Sequence, residues 1–252
     1  MMLLENKKGV IFGIRSPRTI GWSIAEAASQ HGAQLCISYR GEREQKRAEQ
    51  LSTEVGAMAL PCDVTDDDDI QGLYDRLAQE WGSLDFIVHS VAFAALEDLQ
   101  AGMVGTSRSG FSLMNDISAY SLIAVTRPAV ALMPNGGSIV ALTYNAAARV
   151  IPMYAPMSVA KASLECIVRY LASELGGQAI RCNALSSGPV NTPASRGIPG
   201  FTDLIKKVPE VAPLRRNVEL AEVGESAVYL LSDMSTAVTG QTLFVDCGAH
   251  IM

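Results

Sequence analysis

The chain has 252 residues, 48% hydrophobic and 18% charged, enough for one large domain (1–252) with an ample core. A formal net charge of −6 excludes the basic footprint of a nucleic-acid binder. The longest apolar run, 122–133, is broken by Arg127 and Pro128 and is no membrane span, and MMLLENKK is too short for the apolar region of a signal peptide. Cys36, Cys62, Cys166, Cys182 and Cys247 form no CxxC pair and read as reduced core residues of a cytoplasmic protein. His31, His89 and His250 are scattered, so no metal site is expected.

In chain order, short β-rich runs alternate with helical patterns. GVIFG (9–13), QLCISY (34–39), AMALPC (57–62), LDFIVHS (84–90), GSIVALTY (137–144), AIRCNALS (179–186) and QTLFVD (241–246) predict about seven strands, apolar enough to be buried on both faces of a parallel sheet. IGWSIAEAASQHG, EREQKRAEQLSTEVG, DDIQGLYDRLAQEWG, a segment around 109–133, SVAKASLECIVRYLASELGG and ELAEVGESAVYLLSD predict helices, several ending in glycine. The alternation predicts a single Rossmann-type, doubly wound α/β sheet with helices on both faces. Asp66–Asp69 after Thr65 is expected to start a helix, where the dipole favours anions.

The first strand runs into Gly13-Ile14-Arg15-Ser16-Pro17-Arg18-Thr19-Ile20-Gly21. Glycine there allows a tight turn and close approach of a pyrophosphate, which the next helix meets with its N-terminus. The GxGxxG spacing is absent, so the signal lies in the loop's position between first strand and apolar helix. The second strand ends at Tyr39-Arg40 without an acid for a ribose diol. Arg40 and Arg43 either meet a 2′-phosphate or stand solvated at a helix start. Asp63, ending the third strand, either accepts from an adenine amino group or caps its own turn.

Lys161 follows Tyr154 by seven positions in TYNAAARVIPMYAPMSVAKAS. At about 100° per residue that offset returns the lysine to within roughly 20° of the tyrosine's direction. A phenol and an ammonium on one face suit a developing negative charge and a cofactor sugar. Lys161 lies in an otherwise apolar stretch, and a buried lysine needs a partner. A ketone reductase would carry tyrosine four positions before the lysine and serine thirteen before that. Those positions hold Met157 and Tyr144.

With these segments in place, the chain resembles the short-chain dehydrogenase/reductases, and within them the divergent branch of enoyl-acyl-carrier-protein reductases. The carriers are GIRSPRTIGWSIA, CDV, HSVAFA (where other members usually have NNAG), DISAYS, Tyr144…Tyr154…Lys161, SGPVNT, PLRR, VGESAVYLLSD and VTGQTLFVDCG, spanning almost the whole chain. The resemblance implies NAD(P)H-dependent reduction of the trans-2 double bond of an enoyl thioester in type II fatty acid biosynthesis. NADH is favoured, with NADPH left open by Arg40 and Arg43. Gly13, Thr19 and Ile20 would line the pyrophosphate. Asp63 and Val64 would hold adenine, and Ser90, Val91 and Ala92 would pass along the ribose. Val190 and Thr192 would face the nicotinamide, with Lys161 on its ribose hydroxyls. Tyr144 and Tyr154 would face substrate, in an acyl channel bordered by Phe93, Ala94 and Met157. The implied partner is an acyl-carrier protein, the implied assembly a homotetramer, and the implied substrate-binding loop 192–207.

Three positions depart from the family pattern: Thr19 replaces a common serine, Asn145-Ala146 replaces Leu-Gly, and 199–203 lacks basic residues, with Arg196, Lys206 and Lys207 nearby. The competing readings are reduction of enoyl-CoA or of a polyketide-type enoyl chain, and a dinucleotide sensor without turnover. Intact Tyr154 and Lys161 argue against the sensor.

Overall fold

The computed structural model describes residues 2–152, 154–192, 195 and 200–252. Its centre is a parallel seven-stranded sheet: β1 (Lys8–Phe12), β2 (Gln34–Tyr39), β3 (Met58–Pro61), β4 (Phe86–His89), β5 (Gly137–Thr143), β6 (Ile180–Ser187) and β7 (Thr242–Val245), in the order 3-2-1-4-5-6-7. All seven predicted strands are present; β2 matches residue for residue, and the others are shifted or trimmed by a residue or two.

Among the described residues the helices with stated bounds are α1 (Ile20–Gln30), α2 (Glu42–Glu54), α3 (Asp67–Trp81), α4 (Leu96–Gly105), α5 (Arg108–Asn115), α6 (Ser121–Ala129), α7 (Ala155–Leu175), α8 (Phe201–Val211) and α9 (Leu220–Leu231). One core face joins Ile24 and Ala28 of α1, Leu51 of α2 and Val223 and Ala227 of α9 to Ile11, Ile37 and Val140 of the sheet. The other joins Leu73 and Leu77 of α3, Leu122 and Val125 of α6 and Leu164 and Val168 of α7 to Phe12, Ile87 and Ala141. Fully burying each such side chain contributes on the order of 1.5–3 kcal/mol. Together the two faces seat α1, α2, α3, α6, α7 and α9 on the sheet.

Local chemistry sets the helix starts. The Thr19 side chain caps α1 by accepting from Trp22 N. Asp66 caps α3 by accepting from Asp68 N and Asp69 N, so the acidic run is a helix start. The predicted long helix around 109–133 is broken: α5 passes through a π-helical turn, Asp116–Tyr120, into α6, and Val130–Leu132 is a 3-10 turn. Two helices were not expected. In α4 a kink at Gly102 (φ 66) blurs the apolar period. In α8, Phe201, Leu204 and Val208 recur at helical spacing despite Pro209 near its end, so the C-terminal part of the expected 192–207 loop is helical. Arg196, Gly197 and Pro199 of that loop lie outside the described residues. Of the five free cysteines four are buried, whereas Cys166, expected in the core, is exposed on α7.

The strand order reverses between β1 and β4, the place where open α/β sheets hold ligands. Gly13 and Ser90 leave the ends of these two strands side by side, and Ser90 N donates to Phe12 O at 3.2 Å.

Candidate active site

The cleft at this switch point is lined by Gly13, Ile14, Arg15, Ser38, Arg40, Glu44, Cys62, Asp63, Val64, Ser90, Val91, Ala92, Phe93 and Ile117. Most of the sequence-predicted nucleotide contacts therefore meet in one groove. Gly13 has φ +90, and a Cβ there would stand 2.1 Å from Ser90 O. Only glycine fits, which keeps the wall low where a dinucleotide backbone would pass. Thr19 lies at the start of α1; its hydroxyl donates to Ser16 O at 2.9 Å, and Ile20 opens the helix. Val190 and Thr192 are buried beyond β6, and Ser195 Oγ ties to both, to Val190 O at 2.8 Å and Thr192 N at 2.9 Å.

The groove's outer end is charged and paired. Arg15 Nε and Nη2 donate to Glu44 Oε1 at 3.0 and 2.7 Å, and Glu44 Oε2 accepts from Arg40 N at 3.1 Å. Arg40 Nε donates to Asp63 Oδ2 at 2.7 Å. Asp63 Oδ1 accepts from Thr65 N and Oγ1 at 3.0 and 2.8 Å, so this carboxylate does cap its own turn. Burial pushes Asp63 up, but the Thr65 hydrogen bonds and the Arg40 charge outweigh it, and its pKa lies below the ordinary value. Arg40 is thus held across the ends of β2 and β3. Glu44 is not legible in the sequence as a groove residue, because its place depends on contacts with Arg15 and the Arg40 amide.

Past Phe93, at the inner rim of this groove, the neighbouring residues are mostly apolar. Tyr154 is the residue that caps α7, with φ −117 and ψ 7, and Ser158 N donates to its carbonyl at 3.0 Å. It is therefore not inside the helix, as the seven-residue offset had assumed, but the first helical bond keeps it in register with Lys161. Pro156 in the first turn needs no N–H partner there. Tyr144 leaves β5 and meets the Tyr154 ring edge to face, centroids 5.1 Å apart at 68°. Tyr154 and Ala94 pack with Met157, Leu99, Met114 and Ala160 in a small apolar cluster. Phe93 is 39% exposed at its rim.

Lys161 is 4% exposed, and its Nζ donates to Leu142 O at 2.6 Å. Burial pulls its pKa down to about 8, with Glu165 one turn along opposing the shift. Glu165 accepts from Thr143 Oγ1 at 2.8 Å, and burial holds it above the usual carboxylate value. Burial and then Asp246 push Tyr144 up to about 12; burial and then Tyr144 push Tyr154 higher still. Both phenols are protonated donors near neutral pH, and the ammonium is charged. Among the described residues no group of three or more His, Cys, Asp or Glu is placed to hold a metal ion.

The family model described as enoyl-(acyl carrier protein) reductase matches residues 13–250. An enoyl-acyl-carrier-protein reductase (NADH) of Rhizobium meliloti is 46% identical over 98% of this chain and 92% of its own length. An NADPH-named reductase of Staphylococcus aureus is 45% identical over 99% of both chains. Among solved structures, the Anaplasma phagocytophilum reductase in complex with NAD superposes with a TM-score of 0.97 at 44% identity, covering 100% of this chain and 96% of that one. The Bacillus cereus reductase with NADP+ and an indole naphthyridinone gives 0.98 at 42% identity, covering 100% and 99%. A cleft with a glycine-only wall, a half-buried tyrosine pair and a buried lysine thus coincide with full-length likeness, and the chain belongs to the enoyl-(acyl carrier protein) reductase family.

Proposed function

We infer that this protein reduces the trans-2 double bond of an enoyl-acyl-carrier-protein thioester with a reduced nicotinamide, a step of fatty acid biosynthesis. The observation that carries this reading is the packed Tyr144–Tyr154 pair with buried Lys161 on the helix that Tyr154 starts. The Gly13 wall fits a dinucleotide, and the bound nicotinamide would supply hydride to the substrate's β-carbon.

The residues act on what that transfer leaves behind. Charge grows on the thioester oxygen as the enolate forms, and a proton taken up at the α-carbon then completes the saturated thioester. Tyr154, kept protonated by burial, donates a hydrogen bond to that oxygen, an interaction worth on the order of 2.7–4 kcal/mol in the transition state. Lys161 orients the nicotinamide ribose and raises the local positive potential. Tyr144 packs against Tyr154 and fixes its ring, and Phe93, Ala94 and Met157 border the acyl chain.

NADH is the preferred reductant. The space beside the adenine-ribose end is rimmed by Arg15, Arg40 and Arg43 but also by Glu42, Glu44, Asp63, Asp66 and Asp69. Five carboxylates against three guanidiniums, two of them already paired, disfavour a 2′-phosphate. Gly13, Thr19 and Ile20 would serve the pyrophosphate, Asp63 and Val64 the adenine, Ser90 to Ala92 the ribose, and Val190 and Thr192 the nicotinamide. Exposed Lys206 and Lys207 on α8 offer cations to an acidic carrier protein. A homotetramer would cover the exposed Phe111, Leu113, Tyr120 and Tyr170. No helix among the described residues is long and apolar enough to cross a membrane, and free cysteines suit a cytoplasmic enzyme.

The test follows absorbance of reduced nicotinamide with crotonyl thioesters on carrier protein and on CoA. Oxidation of NADH, faster on carrier protein, is expected. Tight cofactor binding without oxidation by either thioester would sink the reductase reading, and faster turnover of ketoacyl thioesters would sink the substrate class.

A further inference from the structure

The chain between β4 and α4 forms one wall of the groove, through Ser90, Val91, Ala92 and Phe93. At its start Ser90 N donates to Phe12 O, and at its end Ala95 O accepts from Leu99 N in the first turn of α4. Val91 to Ala94 between them belong to no helix or strand. Among the described residues, the hydrogen bonds to this stretch come from one side chain. Phe93 N donates to Ser118 Oγ at 3.0 Å, and Ser118 Oγ donates to Phe93 O at 3.3 Å. A hydroxyl carries one donor and two lone pairs, so a single serine can hold both backbone groups of one residue. Ser118 is 0% exposed and has no part in the mechanism above.

The π-helical turn Asp116–Tyr120 carries that hydroxyl. Ser121 N donates to Asp116 O, five residues back, where an α-helix would use Ile117 O. Ile117 O accepts instead from Ser121 Oγ at 2.6 Å. Such turns are rare and recur at functional sites. Here Ile117 lines the groove together with Phe93, and the two serines tie the two ends of the same stretch of chain. Ser118 holds Phe93, and Ser121 Oγ lies 2.7 Å from Nε2 of His89 at the end of β4. The His89 end needs little help, because β4 is already paired with β1 and β5. The Phe93 end has no such ladder, and Ser118 is its anchor.

The anchor falls where the wall changes its task. Under the proposed function, Ser90 to Ala92 pass the cofactor ribose, and Phe93 and Ala94 border the acyl chain. Ala94 packs with Tyr154 against Leu99, Met114 and Met157. A displaced Phe93 backbone would move this acyl wall while Ser90 stayed on Phe12. We propose that Ser118 is a positioning residue for the enoyl thioester: its hydroxyl, carried by the π-helical turn, holds Phe93 N and O and so sets the acyl wall relative to the bound cofactor. The inference rests on the reductase reading above.

The experiment uses the full chain. Steady-state kinetics with a crotonyl thioester on carrier protein give kcat and KM, fluorescence titration gives NADH affinity, and ¹⁵N-phenylalanine labelling follows hydrogen exchange at the Phe93 amide. Ser118→Ala should raise the thioester KM by about tenfold, the combined strength of two neutral hydrogen bonds. NADH affinity should stay within about twofold, because the Ser90 end keeps its bond to Phe12. Ser118→Cys keeps the size but bonds weakly, so it should act in the same direction, and it serves if Ser118→Ala does not fold. Ser121→Ala cuts the other tie of the same turn and should leave the thioester KM within about twofold. The Phe93 amide should be protected in the wild type and lose that protection in the Ser118 variants.

An unchanged KM in whichever Ser118 variant folds overturns the proposal. A KM raised as much by Ser121→Ala, or NADH affinity lost as steeply as the thioester's, also overturns it, since either would mean a general loosening of the turn. An unprotected Phe93 amide in the wild type overturns it without any variant. A wild type that oxidises no NADH overturns the reductase reading instead, while the Phe93 exchange still reports on the Ser118 tether, so the two failures are distinguishable.

Discussion

The two ends of the cleft use charge in opposite ways. At the adenine end, Arg15 and Arg40 are 69% and 61% exposed, and each is paired with a carboxylate in contact with water. Such pairs are screened and contribute about 0–1 kcal/mol each. At the nicotinamide end, Lys161 is buried, has a carbonyl and a raised carboxyl for company, and sits beside phenols held in their neutral form. The lesson is a division of labour: exposed, compensated charge selects which molecule enters, and buried, under-compensated charge acts on what it becomes.

The largest expected effects break the buried end. Lys161→Ala should lower kcat/KM by roughly a thousandfold and weaken NADH binding by about tenfold, because it removes both a transition-state charge and a ribose contact. Unchanged NADH affinity in that variant would show the ribose role to be wrong. Tyr154→Phe should lower kcat by about a hundredfold while leaving NADH affinity within about twofold, since its hydrogen bond strengthens only as the enolate forms. Steady-state kinetics and fluorescence titration separate the two variants. Equal losses of binding in both would erase the distinction between the residue that holds cofactor and the one that meets substrate.

The buried end also leaves a signature in stability. The folded His89 titrates at about 3, whereas an unfolded histidine titrates near 6.5. As pH falls below about 6.5 the unfolded state takes a proton that the folded state refuses. Stability present above that pH is therefore lost progressively toward pH 3, with a limiting slope of roughly 1.4 kcal/mol per pH unit from this residue. Denaturant unfolding between pH 7 and 4 should show that slope, and His89→Asn should remove its contribution. An identical slope in the variant would mean that other groups carry the acid sensitivity.

What was legible in the sequence follows the range of the interactions. The strands were readable because continuous apolar runs record burial on both faces, and α1, α3 and α7 because their caps and apolar faces are local. Gly13, Tyr154 and Lys161 could be singled out from spacing and neighbours. Glu44 and His89 could not, because each acquires its role from distant segments: Glu44 meets Arg15 from 29 positions away, and His89 meets Ser121 from 32. The π-helical turn Asp116–Tyr120, beside which Ser121 Oγ meets both Ile117 O and His89, is a register slip inside a helical segment, and no residue type announces it. The α8 helix is hidden in the sequence because its first part falls in the 192–207 segment expected as a loop, with Gly200 directly before it.

The smallest expected effect sharpens the exposed end. Glu44 holds Arg15 through one oxygen and the Arg40 amide through the other, and so places a carboxylate at the ribose wall of the cleft. A ribose diol tolerates that acceptor, whereas a 2′-phosphate carrying about two negative charges is repelled by it. Glu44→Gln keeps the size and an amide oxygen but removes the charge and loosens Arg15. The ratio of kcat/KM for NADPH to that for NADH should then rise by about fivefold, in keeping with a single screened surface charge, and the gain should shrink as salt is added. Turnover at saturating NADH should change little compared with the hundredfold loss in Tyr154→Phe, because Glu44 faces the end of the cofactor where no bond is made or broken. If kcat with NADH fell as steeply as in the Tyr154 variant, selection and chemistry would not be separable along the cleft. If the ratio rose equally at high and low salt, packing against the adenosine, and not charge, would set the preference.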